Sequence, residues 1–348
     1  MSRDEEHTIN FAAVKAAVES GLSALERDPL RGARNMLDLG KYFSHTHRQK
    51  AFFQMAQNVL GRKRSQYINL LKRAMASVDR ETLKTVGINL GYFSWSRGAR
   101  VIRSVEAERG FNVPWSFVIR MEDAGADSLT VDEARGFIAQ ARELGAHAFW
   151  ITLCTERADA CGIIDMCGSF SDCAFIFLTP AELITSAIAE RARTQHNMLF
   201  CMRSESEETI ARAAGILRGA RLMYGLYMVY DDANCERILG GGMIRQADEC
   251  GGELALFVSA PGCSEECRAR VQEYAMGEKT VPEKPVFMVD FFSDLNAVDG
   301  IISSQPCYIE VDACGGISAT PWGSQEGVNV RTHSLSEALS VLAPRRAE

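Results

Sequence analysis

Apolar residues follow two different periods along this chain. Up to about residue 110 they recur three and four apart, the spacing of an amphipathic helix. INFAAVKAAVESGLSALER (residues 9–27), RQKAFFQMAQNVLG (48–61) and QYINLLKRAMASV (66–78) show it, and the first stops before Asp28-Pro29. From residue 112 short apolar runs alternate with helical stretches. PWSFVIRM (114–121) is the kind of run that forms a strand buried on both faces. Thr130 and Glu133 then make a capping box. Val131, Ala134, Phe137, Ile138, Ala141 and Leu144 share one helical face, and Gly145 is placed to end the helix. Further strands are expected at AFWITLC (148–154), AFIFLTP (174–180), MLFCMRS (198–204), RLMYGLYMVY (221–230) and ELALFVSAPG (253–262).

Between these runs the helix-start signals repeat. Thr179 and Glu182 pose as a capping box with Pro180 at the first helical position, and Ser204 with Glu207 as another. The stretch 234–250 reads as a helix interrupted by Gly240-Gly241-Gly242. Six such units predict parallel strands with right-handed crossovers, whose carboxyl ends meet at one rim. The tail changes character. VFMVDFF (286–292) predicts a strand, CYIEVDACGGISATPW (307–322) a hairpin turning at Gly315-Gly316, and Ser334 with Glu337 a capped short helix.

The net charge of −7 over 348 residues argues against nucleic acid or an anionic membrane as a partner. No run of apolar residues is long enough for a membrane span, and the start of the chain lacks the pattern of a signal peptide. A cytoplasmic location is therefore expected. Eleven cysteines, an odd number in a long chain, do not read as a disulfide scaffold. Reduced thiols acting as small hydrophobes are expected instead, Cys167 and Cys173 among them.

Recognisable chemistry is sparse. There is no GxGxxG after a strand, no P-loop, no HExxH and no CxxC. Arg62-Lys63-Arg64 reads as a solvated turn, and His45-Thr46-His47 as loop residues. Cys263 and Cys267, four apart at a helix start, can face the same way, but two thiols alone do not make a metal site. No metal site is expected.

From Asn112 onward the chain resembles the radical S-adenosylmethionine (radical SAM) superfamily. The resemblance is carried by several segments in order. They are NVPW before the first strand, LTVDEARGFIAQARELG as the first helix, DMCGSFSDC before the third strand, Asn234 after the fifth and Pro261-Gly262 after the sixth. KPVFMVDFFSD, GIISS and YIEVDACG follow. It points to a branch with a helical N-terminal region and a SPASM-like C-terminal extension. The fold this implies is α/β, a partial (βα)6 TIM-like barrel over 111–280. An all-α region (1–110) would precede it, and an extension with a strand, a β-hairpin and a short helix (281–348) would follow.

The departures from that family fall on its chemistry. A CxxxCxxC loop after the first strand should hold a [4Fe–4S] cluster, but residues 122–127 read EDAGAD, with no thiol. The family's GGEP, which binds the amino group of S-adenosylmethionine, reads Cys154-Thr155-Glu156-Arg157, and only Glu156 matches. The serine and acid expected after the fourth strand read Met202-Arg203-Ser204. In the extension Ile301 replaces a cysteine and Ser318-Ala319-Thr320 a proline-cysteine ligand region. The resemblance so broken implies a catalytically degenerate protein, a binding or partner subunit beside an active relative, with no cofactor and no cluster expected. One alternative is an enzyme that binds S-adenosylmethionine or another small ligand at the rim through Cys154, Thr155, Glu156, Arg203 and Asn234. Arg203 would there favour an anionic group. Another keeps the cluster through unusually spaced cysteines such as Cys154, Cys161 and Cys263.

Overall fold

A computed structural model describes residues 3–44, 46–62, 65–153, 157, 159–203, 205–323 and 327–345, with side chains from residue 11. Helices α1 (Arg3–Arg27), α2 (Pro29–Tyr42), α3 (His47–Leu60), α4 (Gln66–Ser77) and α5 (Arg80–Ile88) open the chain. A π-helical segment (Asn89–Gly98) leads into α6 (Ala99–Arg109). Strands and helices then alternate: β1 (Ser116–Arg120), α7 (Val131–Glu143), β2 (Ala148–Thr152), α8 (Ala160–Gly168), β3 (Ala174–Pro180), α9 (Ser186–Gln195) and β4 (Met198–Arg203). They continue with α10 (Glu207–Gly219), β5 (Met223–Tyr230), α11 (Glu236–Leu239), α12 (Gly242–Glu249), β6 (Leu254–Ser259), α13 (Glu265–Thr280) and β7 (Phe287–Asp290). The tail holds α14 (Phe291–Ile302), β8 (Glu310–Val311), β9 (Ile317–Ser318) and α15 (Leu335–Leu342).

One sheet runs in the order β7-β6-β5-β4-β3-β2-β1-β8-β9 and does not close on itself. Neighbours from β7 to β1 are parallel, β8 adds to β1 in parallel, and β8–β9 is the antiparallel hairpin. On the outer face Phe117, Phe149 and Phe175 stack in a row beneath the crossover helices, with ring centroids 6.3 and 5.5 Å apart. The inner face packs Val118, Trp150, Leu178 and Tyr227 against Phe291 and Leu295 of α14 and Val86 of α5.

The caps on α7 and α15 form as the sequence predicts, with both halves of each capping box in place. Two predicted helix starts are displaced. Thr179 and Pro180 stay in β3, paired with Met202 and Arg203 of β4, and α9 starts later with Thr185 as its cap. The ladder and the burial of Thr179 outweigh a local capping pattern. The cap of α10 is Ser206, which accepts from Thr209 N; Ser204 lies outside the described residues. In the predicted 286–292 strand, Phe291 and Phe292 begin α14 instead. Cys167 and Cys173 are buried in the outer core, as expected of small hydrophobes.

The N-terminal helices seat on the amino ends of the strands. Asn89 Nδ2 donates to the carbonyls of Ser171 and Cys173 just before β3 (3.1 and 2.7 Å). Asp79 N donates to Arg221 O before β5 (2.8 Å), and Thr82 Oγ1 lies 3.2 Å from His196 Nδ1 before β4. A Cβ on Gly98 would lie 2.3 Å from the carbonyl oxygen of Gly145, so only glycine allows this approach to β2. Arg62 of the basic cluster donates to Thr280 O (2.9 Å).

Candidate functional site at the carboxyl rim

With the amino ends occupied, the rim at the carboxyl ends is where side chains from several strands meet. Arg120, the last residue of β1, donates to Glu122 from Nε (3.2 Å) and Nη2 (2.9 Å). Its Nη1 lies 3.5 Å from Glu310 Oε1 on β8. The other Glu310 oxygen accepts from Tyr308 Oη at 2.6 Å and from Trp322 N at 3.4 Å. Glu310 is almost wholly buried, and burial pushes its carboxyl above the ordinary range. Burial likewise drives the Tyr308 phenol up.

Trp322 reaches over this pair. Its ring lies 5.6 Å from the Arg120 guanidinium, and its Nε1 donates to Ser259 O at the end of β6 (3.0 Å). The C-terminal segment therefore spans the rim from β8 to β6. Trp322 does this with φ +57, a backbone region that bulky residues rarely adopt. Phe292 stands against both Tyr308 and Trp322, so the rim has an aromatic wall beside its acid–base pair.

Of the residues singled out from the sequence, Cys154, Thr155 and Glu156 lie outside the described residues. Arg203 and Asn234 come together, lining one cavity of about 70 Å³ at the carboxyl ends of β4 and β5. The Arg203 guanidinium sits 5.5 Å from the centre of the Tyr227 ring. Asn234 is engaged in the turn after β5, accepting from Asp231 N (3.0 Å) and donating to Val229 O (3.4 Å).

No family model matches this chain, and no curated protein matches it. Solved structures do. The structure of Streptococcus suis SuiB bound to S-adenosylmethionine superposes with a TM-score of 0.52 at 12% identity, covering 68% of this chain and 66% of that one. A second SuiB structure gives a TM-score of 0.50 at 12% identity, covering 68% of each chain. The chain has a radical SAM-like fold. It spans just under two thirds of the first SuiB structure it matches.

The expectation of no cofactor and no cluster is overturned. The matched radical SAM-like fold is one that holds S-adenosylmethionine in SuiB, and this chain brings Cys263 and Cys267, which the sequence placed on one side of a helix start, together with Asp232 from the neighbouring turn. The loop after β1 is not where they meet. Asp123 Oδ1 there accepts from Gly125 N (2.9 Å) and Ser128 Oγ (3.1 Å), closing a tight turn. Arg331 pins it from outside, donating to Asp127 O (3.0 Å) and Glu133 Oε1 (2.7 Å). Arg331 and the cap bonds to Thr130 hold the Glu133 carboxyl down to about 2. With no thiol in it, this loop does not fit a cluster. The rim pair Arg120–Glu310 escaped the sequence reading because its members are far apart in the chain.

Proposed function

We propose that this radical SAM-like protein is a ligand-holding subunit. It binds S-adenosylmethionine, or a ligand of the same amino-acid and nucleoside chemistry, at its carboxyl rim, and does not start radical chemistry from its β1 loop. The β1 loop carries the reading: Asp123 closes the turn, Arg331 pins it, and it offers no thiolate. The rim supports the ligand. The buried Glu310 carboxylate suits an ammonium, Arg203 suits a carboxylate, and Phe292, Tyr308 and Trp322 suit the face of a base. The cavity beside Arg203 is far below the few hundred Å³ such ligands need, so the residues that line it have to move apart for a ligand of that size to enter. The proposed partner is an active relative that carries the cluster.

Isothermal titration of the full chain with S-adenosylmethionine tests this. Saturable one-to-one binding is expected, weakened at least about tenfold in Arg203→Ala through loss of a charge-assisted contact. Heats at the level of buffer dilution would end the ligand reading. Co-purification of a cluster-bearing relative with the tagged chain would support the subunit role.

A further inference from the structure

The turns after β5 and β6 lie side by side at the sheet's carboxyl edge, because these strands pair in parallel from Gly225–Leu254 to Tyr230–Ser259. The first turn carries Asp232 and Cys235. The second carries Cys263, and Cys267 follows on the first turn of α13, with Ser264 as cap. Ser264 ties the two turns together, donating from N to Asp232 Oδ2 at 2.9 Å and from Oγ to the other oxygen. Ligand atoms of Asp232, Cys263 and Cys267 all lie within 4.8 Å of one another. Cys235, at the turn after β5, lies outside the group whose ligand atoms all come within 4.8 Å of one another. All three cysteines are buried, while Asp232 faces solvent.

We infer that Cys263 and Cys267, with Asp232, form a binding site for one thiophilic divalent ion of the zinc class. Two sulfurs and one oxygen are ligand types that such an ion accepts, and three protein ligands leave its fourth position to water. The spacing fits a single ion. Tetrahedral zinc–thiolate bonds of about 2.3 Å place two sulfurs about 3.8 Å apart, a separation reached by small side-chain shifts from within 4.8 Å. A four-iron cluster carries its thiolates on separate irons and needs them farther apart. The surroundings suit the charge that forms when the thiols lose their protons. Cys267 lies in the first turn of a 16-residue helix, where the helix dipole favours an anion. Arg268 donates to Cys263 O at 2.8 Å. The bound ion would clamp two neighbouring turns of the rim.

The test is an anaerobic titration of the metal-free, reduced full chain with cobalt(II), read by absorption. We expect a thiolate-to-cobalt charge-transfer band and the intense visible bands of a tetrahedral ion, saturating at one equivalent and erased by zinc. Cys263→Ser and Cys267→Ser should each lose most of the band, whereas Cys314→Ser, at an exposed thiol, should keep it. Circular dichroism of the metal-free variants controls for folding. If one serine variant fails to fold, the other and the zinc-dependent rise in melting temperature of the parent chain decide. Absence of the charge-transfer band in the parent chain would overturn the inference. So would a band untouched in folded Cys263→Ser or Cys267→Ser, or reconstitution of about four irons per chain that Cys267→Ser abolishes.

Discussion

Glu310 carries a carboxylate into a nearly dry position, with 3% of its surface exposed. It is tolerated there because Tyr308 donates to it and Arg120 faces it with positive charge. Arg120 is itself shared with Glu122 and lies under the Trp322 ring, so one guanidinium serves three neighbours. Removing it leaves a buried charge without its counter-ion. Breaking such a pair costs about 3–5 kcal/mol when both partners are dry. Arg120 keeps about a quarter of its side chain exposed, which softens the loss. Arg120→Ala should therefore destabilise the chain by about 2–3 kcal/mol in urea unfolding. The double variant Arg120→Ala with Glu310→Gln should recover part of that loss, because the orphaned charge is gone. A loss in the double variant equal to the sum of the losses in Arg120→Ala and Glu310→Gln alone would mean that the pair is not coupled.

At the scale of elements, α14 is the piece that fills the open side of the sheet. Its anchor is Asp299, which accepts from Trp115 N (2.8 Å), Ser303 Oγ (2.7 Å) and Cys307 N (2.7 Å). The helix is thereby fixed both to the approach to β1 and to the approach to β8. Burial pushes the Asp299 carboxyl up to about 7, although those three donors pull it down. In the unfolded chain it titrates near its ordinary 3.8. Between these values the folded state binds the extra proton, so this group's contribution is full below about 4 and is lost as pH rises through about 7. Asp299→Asn removes this titration and turns an amide N–H toward at least one backbone donor. It should cost about 1–3 kcal/mol and flatten part of the fall in urea midpoint between acidic and neutral pH. An unchanged pH slope would show that other buried acids, such as Asp290, carry it.

Across the whole molecule the helical region and the barrel share structure at the amino ends of the strands. Val86 of α5 belongs to the inner core, and Asn89 satisfies two carbonyls that lead into β3. Removing residues 1–110 would expose that core and leave both carbonyls unpaired. We expect the shortened chain to aggregate or to lose its cooperative thermal transition, whereas the full chain melts in one step. A shortened chain with a sharp transition of its own would make the barrel independent of these helices. No described helix is long and apolar enough to cross a membrane.

The sequence by itself determined where helices and strands lie, because caps, periodicity and strand-length apolar runs act within a few residues of each other. Thr130 with Glu133 and the β1 run 114–121 were legible for that reason, and so was the missing CxxxCxxC. The same locality misled at Thr179, where a plausible cap lost to a ladder with β4 that no local pattern encodes. Tertiary structure alone decided that α14 fills the sheet, that Trp322 crosses the rim to Ser259, and that Glu310 faces Arg120. It also decided that Asp232 meets Cys263 and Cys267, from which the sequence separates it by a whole strand. Each of these contacts joins residues from different strands or turns, and the distance between such residues is set by the pairing of the sheet, not by spacing along the chain.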